Sequence, residues 1–254
     1  MNRALPIAIL LAAVLSSPGR AQTVSQVALP AAAPFAAVLH PFMATYQVFH
    51  EGRELGQATL QVVHVDTNRW RVDLDMKGQG LLRLTGLNVQ QSTVFDSDGH
   101  AYRPLAQSTV KRAFLSNRKS VGLYDWNTHT ARWTGDVRKG HISPVPLHDG
   151  DMSGLLIDLA LVRDAQPGST LHYRFVEDGR VRDHNWIVAP QTQAITVGDL
   201  SYDAMRASRV QAGGTDSADS GTTIWVAAGV PTPIRILQRD NGADSTDLRL
   251  VQYK

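Results

Sequence analysis

Trp70-Arg71-Val72-Asp73-Leu74-Asp75-Met76 decides the fold class. Trp70, Val72, Leu74 and Met76 recur at every second position, and Arg71, Asp73 and Asp75 fill the positions between them. That period places the apolar residues on one face of an extended chain and the charges on the other, as in a half-buried β-strand. Outward from this stretch the sequence is punctuated by short turn signals: Glu51-Gly52-Arg53, Asp98-Gly99-His100, Asp178-Gly179-Arg180 and Asn241-Gly242-Ala243. Each is flanked by β-prone segments, which is the signature of antiparallel hairpins.

Further strands are predicted over 45–50, 57–65, 90–95, 106–111, 120–125, 171–176, 181–188, 203–211, 222–227, 234–239 and 247–253. The fold class is therefore mainly β: a large curved antiparallel sheet, or an open or half barrel, of about a dozen strands. One segment departs from the pattern. Leu155-Leu156-Ile157-Asp158-Leu159-Ala160-Leu161-Val162-Arg163-Asp164 is too long and too apolar for a strand with a wet face. It reads as one main helix, capped by Asp149, Asp151 or Ser153, ended by Pro167-Gly168, and wrapped by the concave face of the sheet. Gln211 to Gly221, rich in Gly and Asp, reads as a hairpin loop.

Upstream, Met1-Asn2-Arg3 leads into the twelve-residue apolar run Ala4 to Leu15, followed by Ser16-Ser17-Pro18-Gly19-Arg20-Ala21. A positive charge, an apolar run, a helix breaker and small residues at Gly19 and Ala21 are the order of a secretory signal. Residues 1–21 are expected to be that signal, cleaved after Ala21, with the mature protein in the periplasm. The run is shorter than the roughly 20 residues of a spanning helix, so no transmembrane anchor is expected after cleavage. Residues 22–42, which include Ala28-Leu29-Pro30-Ala31-Ala32-Ala33-Pro34, read as an Ala/Pro-rich linker, and 43–254 as a single domain.

Of the 254 residues, 43% are hydrophobic and 19% charged, a globular composition. Loss of the signal removes Arg3 and Arg20, so Lys+Arg falls from 25 to 23 and equals Asp+Glu. A formally neutral chain with dispersed arginines gives no electrostatic footprint for nucleic acid, and no nucleic-acid partner is expected. The absence of cysteine excludes disulfides, thiolate catalysis and cysteine-ligated metals.

His141, His148, Asp149 and Asp151 form the densest group of metal-type side chains, and the plainer reading of them is a polar loop capping the helix. Ser153 at the helix start, with His148 and Asp151 upstream, is the one arrangement that suits a hydrolase. The Gly-x-Ser-x-Gly elbow is absent, and an N-cap serine accounts for the position equally well. With three glutamates, Glu51, Glu54 and Glu177, no glycosidase carboxylate pair stands out. There is no phosphate loop or dinucleotide fingerprint, and no cofactor is expected. Trp70, Trp126, Trp133, Trp186 and Trp225 fall in strand-like segments and suit a core. Some could instead line an apolar hollow with Leu81, Leu82 and Leu84, whose segment is bounded by Gly78 and Gly80. Trp70, Leu81, Leu82, Leu84, Trp126 and Trp225 are the candidate ligand-binding residues.

Tyr124-Asp125-Trp126, then Asp149-Gly150-Asp151-Met152-Ser153, then Trp225-Val226-Ala227-Ala228-Gly229-Val230-Pro231-Thr232-Pro233-Ile234-Arg235-Ile236 resemble a bacterial exported family catalogued as domain of unknown function 3108. Tyr46 to Gly56 is similar to the Tyr-rich strand and hairpin with which the family opens, and the likeness runs from about 42 to 254. Ala227-Ala228-Gly229 departs from the family, where a proline commonly follows Trp-x-Ala. The resemblance implies no reaction. It implies a periplasmic curved sheet wrapping a helix, similar to the lipoprotein carriers of the Gram-negative envelope. The expected function is non-catalytic binding of an apolar or lipid-like small molecule in the hollow of the sheet. An envelope module that pairs a partner protein's strand with a sheet edge is the alternative, and a hydrolase the third.

Overall fold

A computed structural model describes residues 39–79, 88–113, 116–210 and 220–254. Its strands are β1 (Phe42–His50), β2 (Arg53–Asp66), β3 (Arg69–Gly78), β4 (Asn88–Ser97), β5 (Tyr102–Ala113), β6 (Ser116–Asp125), β7 (Thr130–Gly135), β8 (Val145–Pro146) and β9 (Asp151–Met152). The helix α1 (Gly154–Asp164) follows. After it come β10 (Thr170–Glu177), β11 (Arg180–Val188), β12 (Gln193–Val197), β13 (Leu200–Val210), β14 (Gly221–Ala227), β15 (Arg235–Asp240) and β16 (Ala243–Tyr253). The mainly β class and the curved sheet around a main helix stand as expected; among the described residues 16 strands form one sheet and one α-helix is present.

The sequence reading did not place β7, β8, β9 or β12. It took Asp151-Met152 for the approach to the helix, whereas these two residues pair in parallel with β10, Asp151 opposite Arg174. Every other strand pair among the described residues is antiparallel. β1 begins at Phe42, one residue before the expected domain start. Residues 1–38, Leu81, Leu82, Leu84 and most of the loop from Gln211 lie outside the described residues. Among the described residues no helix is long and apolar enough to cross a membrane.

The turn signals act as their chemistry requires. Asp178-Gly179 and Asn241-Gly242 take positive φ at both positions, the backbone that matches the twist of a two-residue hairpin. In β3, Val72 is fully buried, while Trp70, Leu74 and Met76 pack on the core and keep part of their surface exposed.

The strand order runs β8-β7-β6-β5-β4-β3-β2-β1-β16-β15-β14-β13-β11-β10-β9, so the two ends of the sheet are joined in the chain by Leu147 to Gly150. Side chains, rather than a ladder, draw those ends together. Tyr124 on β6 donates its hydroxyl to the Val176 carbonyl on β10 at 2.6 Å, and Ser120 on β6 donates to Asp178 at 2.8 Å. A second apolar cluster, Tyr124, Ala131, Trp133, Val145, Leu147 and Val176, fills this seam.

The main core lies between α1 and the inward rows of the sheet. Leu155, Leu156, Ile157, Leu159, Ala160, Leu161 and Val162 are all buried, and only Gly154, Asp158, Arg163 and Asp164 keep part of their surface exposed. Each of its leucines contributes about 1.5–3 kcal/mol relative to exposure. Ser153 is the N-cap residue but makes no capping hydrogen bond with its side chain. Glu177, on β10, instead accepts the Gly154 backbone N–H at 2.8 Å and supplies the negative charge that a helix N-terminus favours.

Candidate functional site

The concave face near the start of α1 is polar. Ser153 is fully buried, and its hydroxyl sits 3.0 Å from that of Thr93 on β4. The indole N–H of Trp133 donates to Gln107 Oε1 at 3.1 Å, and the Gln107 amide in turn donates to the Glu177 carboxylate. With the Gly154 bond, this makes a relay from the seam to the helix N-terminus. Burial raises the Glu177 pKa above its usual range, opposed by the Gly154 N–H.

One turn further along α1, Asp158 retains some accessible surface, yet protein surrounds it closely enough that burial lifts its carboxyl from 3.8 to about 7. Glu177 adds to the rise and Arg209 opposes it. His184, stacked on Phe175 with ring centres 4.8 Å apart, is pulled down to about 4 by burial and by Arg209 and Arg182. Burial and Arg182 also lower Arg209. The helix thus carries one carboxyl with no ion pair among the described residues, poised near neutrality, whereas its other acid, Asp164, pairs with Arg163.

The sequence-predicted residues are dispersed. Trp70 lies on the concave side, its ring 4.5 Å from that of His64. Trp126 stands in the turn after β6, not in a strand; it donates to the Pro104 carbonyl at 2.7 Å and packs against the seam cluster. Trp225 is opposite Arg235 in the ladder, and its neighbour Ile224 opposite Ile236, so the two side chains point to opposite faces. The Arg235 guanidinium sits 5.1 Å from the Trp225 ring centre. These tryptophans do not share one wall.

The hydrolase constellation is not assembled either. His148 is exposed, whereas Ser153 is buried against Thr93. Asp151, fully buried, accepts the His148 backbone N–H at 2.9 Å and pairs with Arg174, so its carboxylate closes the turn between β8 and β9. His141 sits in a 3-10 turn (Lys139–His141) beneath the β10–β11 hairpin, where an added Cβ on Gly179 would come 2.1 Å from the His141 carbonyl. Among the described residues no three His, Asp or Glu side chains converge as metal ligands.

Missed by the sequence reading were Asp158, Glu177 and a set of basic residues at the seam. That seam cleft, of about 240 Å3, is lined by β5, β6, the segment after β7 and the β10–β11 hairpin. An apolar recess between Phe42, Leu159, Val162 and Pro231 amounts to only about 10 Å3, too little to hold more than a single water.

Comparison with solved structures finds a crystal structure of a β-barrel-like protein of domain of unknown function DUF1849 from Brucella abortus. It is 12% identical, with a TM-score of 0.48 over 86% of this chain and 99% of that one. None of the curated proteins matches. The family described as protein of unknown function DUF3108 matches residues 42–249, and the chain belongs to that family.

Proposed function

We propose that this chain is an exported, periplasmic binding protein that holds an apolar or lipid-like ligand without transforming it. The observation that carries the reading is the strip of concave face beside α1. Trp70, Leu74 and Met76 on β3 and Phe175 on β10 pack against the core yet keep part of their surface accessible. Ligand sites combine such apolar lining with a few polar groups that fix orientation, and Asp158, His184 and Arg209 supply polar groups close to Phe175.

The magnitudes favour a shallow site. Each CH₂ withdrawn from water contributes about 0.8 kcal/mol, so eight carbons give roughly 6 kcal/mol, against at least about 4 kcal/mol for association. An alkyl chain alone would therefore bind weakly. Edge pairing with a partner strand is the less supported reading, because the main path of the sheet ends in β8 and β9, of two residues each, with Val145 and Met152 buried, and the branching strand β12, paired with β13, has five residues.

The test is native mass spectrometry, with organic extraction, of the protein purified from the periplasm without detergent. Bound mass that extracts as lipid, and that Phe175→Asp reduces, is the expected result. A clean apo mass that persists after challenge with envelope lipids would overturn the reading.

A further inference from the structure

The seam cleft carries an excess of hydrogen-bond donors and positive charge that the fold itself does not use. Thr109 faces Ser120, and Lys111 faces Arg118, across the β5–β6 ladder; the two-residue spacing puts all four on one face. Arg138 and Arg180 close the cleft from the segment after β7 and from the β10–β11 hairpin. Like charges directly opposite each other destabilise an antiparallel pair, so Lys111 and Arg118 are a cost to the sheet.

The two acidic residues that line the cleft offset only part of its positive charge. Asp136 accepts the Lys119 backbone N–H at 2.7 Å, and Asp178 accepts from Ser120 and lies 3.6 Å from Arg180. Among the described residues Lys111, Arg118 and Arg138 form no ion pair.

Two buried polar atoms in the same cleft lack partners among the described residues: the Thr109 hydroxyl and Arg180 Nε. Thr109 is only 6% exposed, so bulk water does not compensate it. Unsatisfied buried groups are uncommon enough in folded proteins to need a reason, and a bound acceptor is one. Both are donors. Four cations less two carboxylates leave the cleft with a net charge of +2, so a ligand that satisfies both donors and offsets that charge must present several acceptor oxygens and more than one negative charge.

We propose that the seam cleft is a binding site for a phosphate monoester, with Lys111, Arg118, Arg138 and Arg180 holding its charge and Thr109 donating to one of its oxygens. A phosphate monoester carries about −1.5 to −2 charge at neutral pH and three acceptor oxygens, which the planar fork of arginine fits in bidentate fashion. A single carboxylate would leave half of that net charge unmatched. The cleft is smaller than the roughly 300 Å3 at which pockets for whole drug-sized ligands begin, so it takes the phosphate end of a ligand. The site is separate from the concave strip and does not depend on what that strip binds.

The test is calorimetric titration of the purified full-length mature protein with glycerol 3-phosphate at low salt, with sodium chloride as the control. Co-sedimentation with phosphatidylcholine vesicles, with and without phosphatidic acid, runs in parallel. Saturable binding that falls at least tenfold in Arg118→Ala/Arg138→Ala, about fivefold in Thr109→Val, and steeply with added salt is the expected result. These exposed arginines and the Thr→Val isostere leave the fold intact, which circular dichroism checks. Binding of the soluble ester alone assigns the site to free phosphate esters, and binding only to phosphatidic acid vesicles assigns it to a lipid headgroup; both support the proposal. No binding to either probe, or binding unchanged in the double variant, overturns it. Lipid extraction is assigned by variant: bound lipid lost in Phe175→Asp reads the concave strip, and bound lipid lost in Arg118→Ala/Arg138→Ala reads the seam cleft.

Discussion

Asp158→Asn is expected to make the protein more stable near pH 8 and to leave it unchanged near pH 4. The carboxyl titrates near 7 in the folded protein and near its ordinary 3.8 when unfolded. Between those values the folded state holds the extra proton, so stability falls as pH rises through the window, and the full cost is present above about pH 7. A gap of about three pH units corresponds to about 4 kcal/mol. Asp158 keeps some accessible surface, and water reaching it screens part of that cost, so a gain of about 1–3 kcal/mol is expected from the amide.

His184 contributes the opposite slope. Its folded pKa of about 4 lies below the ordinary 6.5, so its stability contribution is complete above about 6.5 and is lost as pH falls towards 4. In the wild type the two residues offset each other over roughly pH 4–6.5. Removing Asp158 exposes the His184 slope, and the variant should gain stability over the wild type steadily across that range. Guanidinium unfolding of both proteins at several values from about pH 4 to about pH 8 measures the difference directly. A difference independent of pH, or a less stable variant near pH 8, would refute the assignment of a desolvated carboxyl on α1.

Gly122→Ala should cost about 1–3 kcal/mol, because the added Cβ would stand 2.4 Å from Trp133 Nε1 and push the indole off Gln107; thermal melts and tryptophan fluorescence would register both effects. Tyr46→Phe should cost about 1–3 kcal/mol. The Tyr46 hydroxyl donates to the Pro233 carbonyl at 2.8 Å and takes the proton of the fully buried Thr232, so its loss orphans both partners; denaturant titration measures it. Asp247→Ala removes a carboxylate, 3% exposed, that grips Arg235 through two bonds of 2.8 and 2.9 Å and also holds Arg249. The arginines keep 23% and 37% exposure, which places the expected loss at about 2 kcal/mol, between an exposed pair and a fully buried one. A change in melting temperature too small to resolve would contradict it.

What was legible in the sequence was local. β3 announced itself because four apolar residues alternate with three charges, and the hairpins because Gly tolerates the positive φ that their turns need. α1 was legible because seven of the eight residues from Leu155 to Val162 are apolar, which leaves no wet face to spare for a strand. β7 was not, since Ala131 and Trp133 are its only buried residues, and two positions do not establish a period. β9 has two residues and exists only because β10 pairs with it.

The site residues were illegible for a related reason. Ser153 looked like a helix cap or a nucleophile, yet what decides its role is Thr93, 60 residues upstream. The cap itself is Glu177, 23 residues after the helix start, which no capping motif could reveal. The basic cleft gathers Lys111, Arg118, Arg138 and Arg180 from four places in the chain, none of which is a charge run.

The position of α1 constrains how any ligand reaches the concave face. If the helix were a plug that left on ligand arrival, its four buried leucines would each give up about 1.5–3 kcal/mol, or about 6–12 kcal/mol together. Expulsion would also release the Glu177 cap and the Ser153–Thr93 contact. That total is comparable with the whole stability of a folded domain, about 5–15 kcal/mol. A ligand with micromolar affinity supplies about 8 kcal/mol in all, so it could displace the helix only by giving up its own affinity. The helix is therefore part of the wall, and a ligand on the concave face would lie beside it rather than in its place.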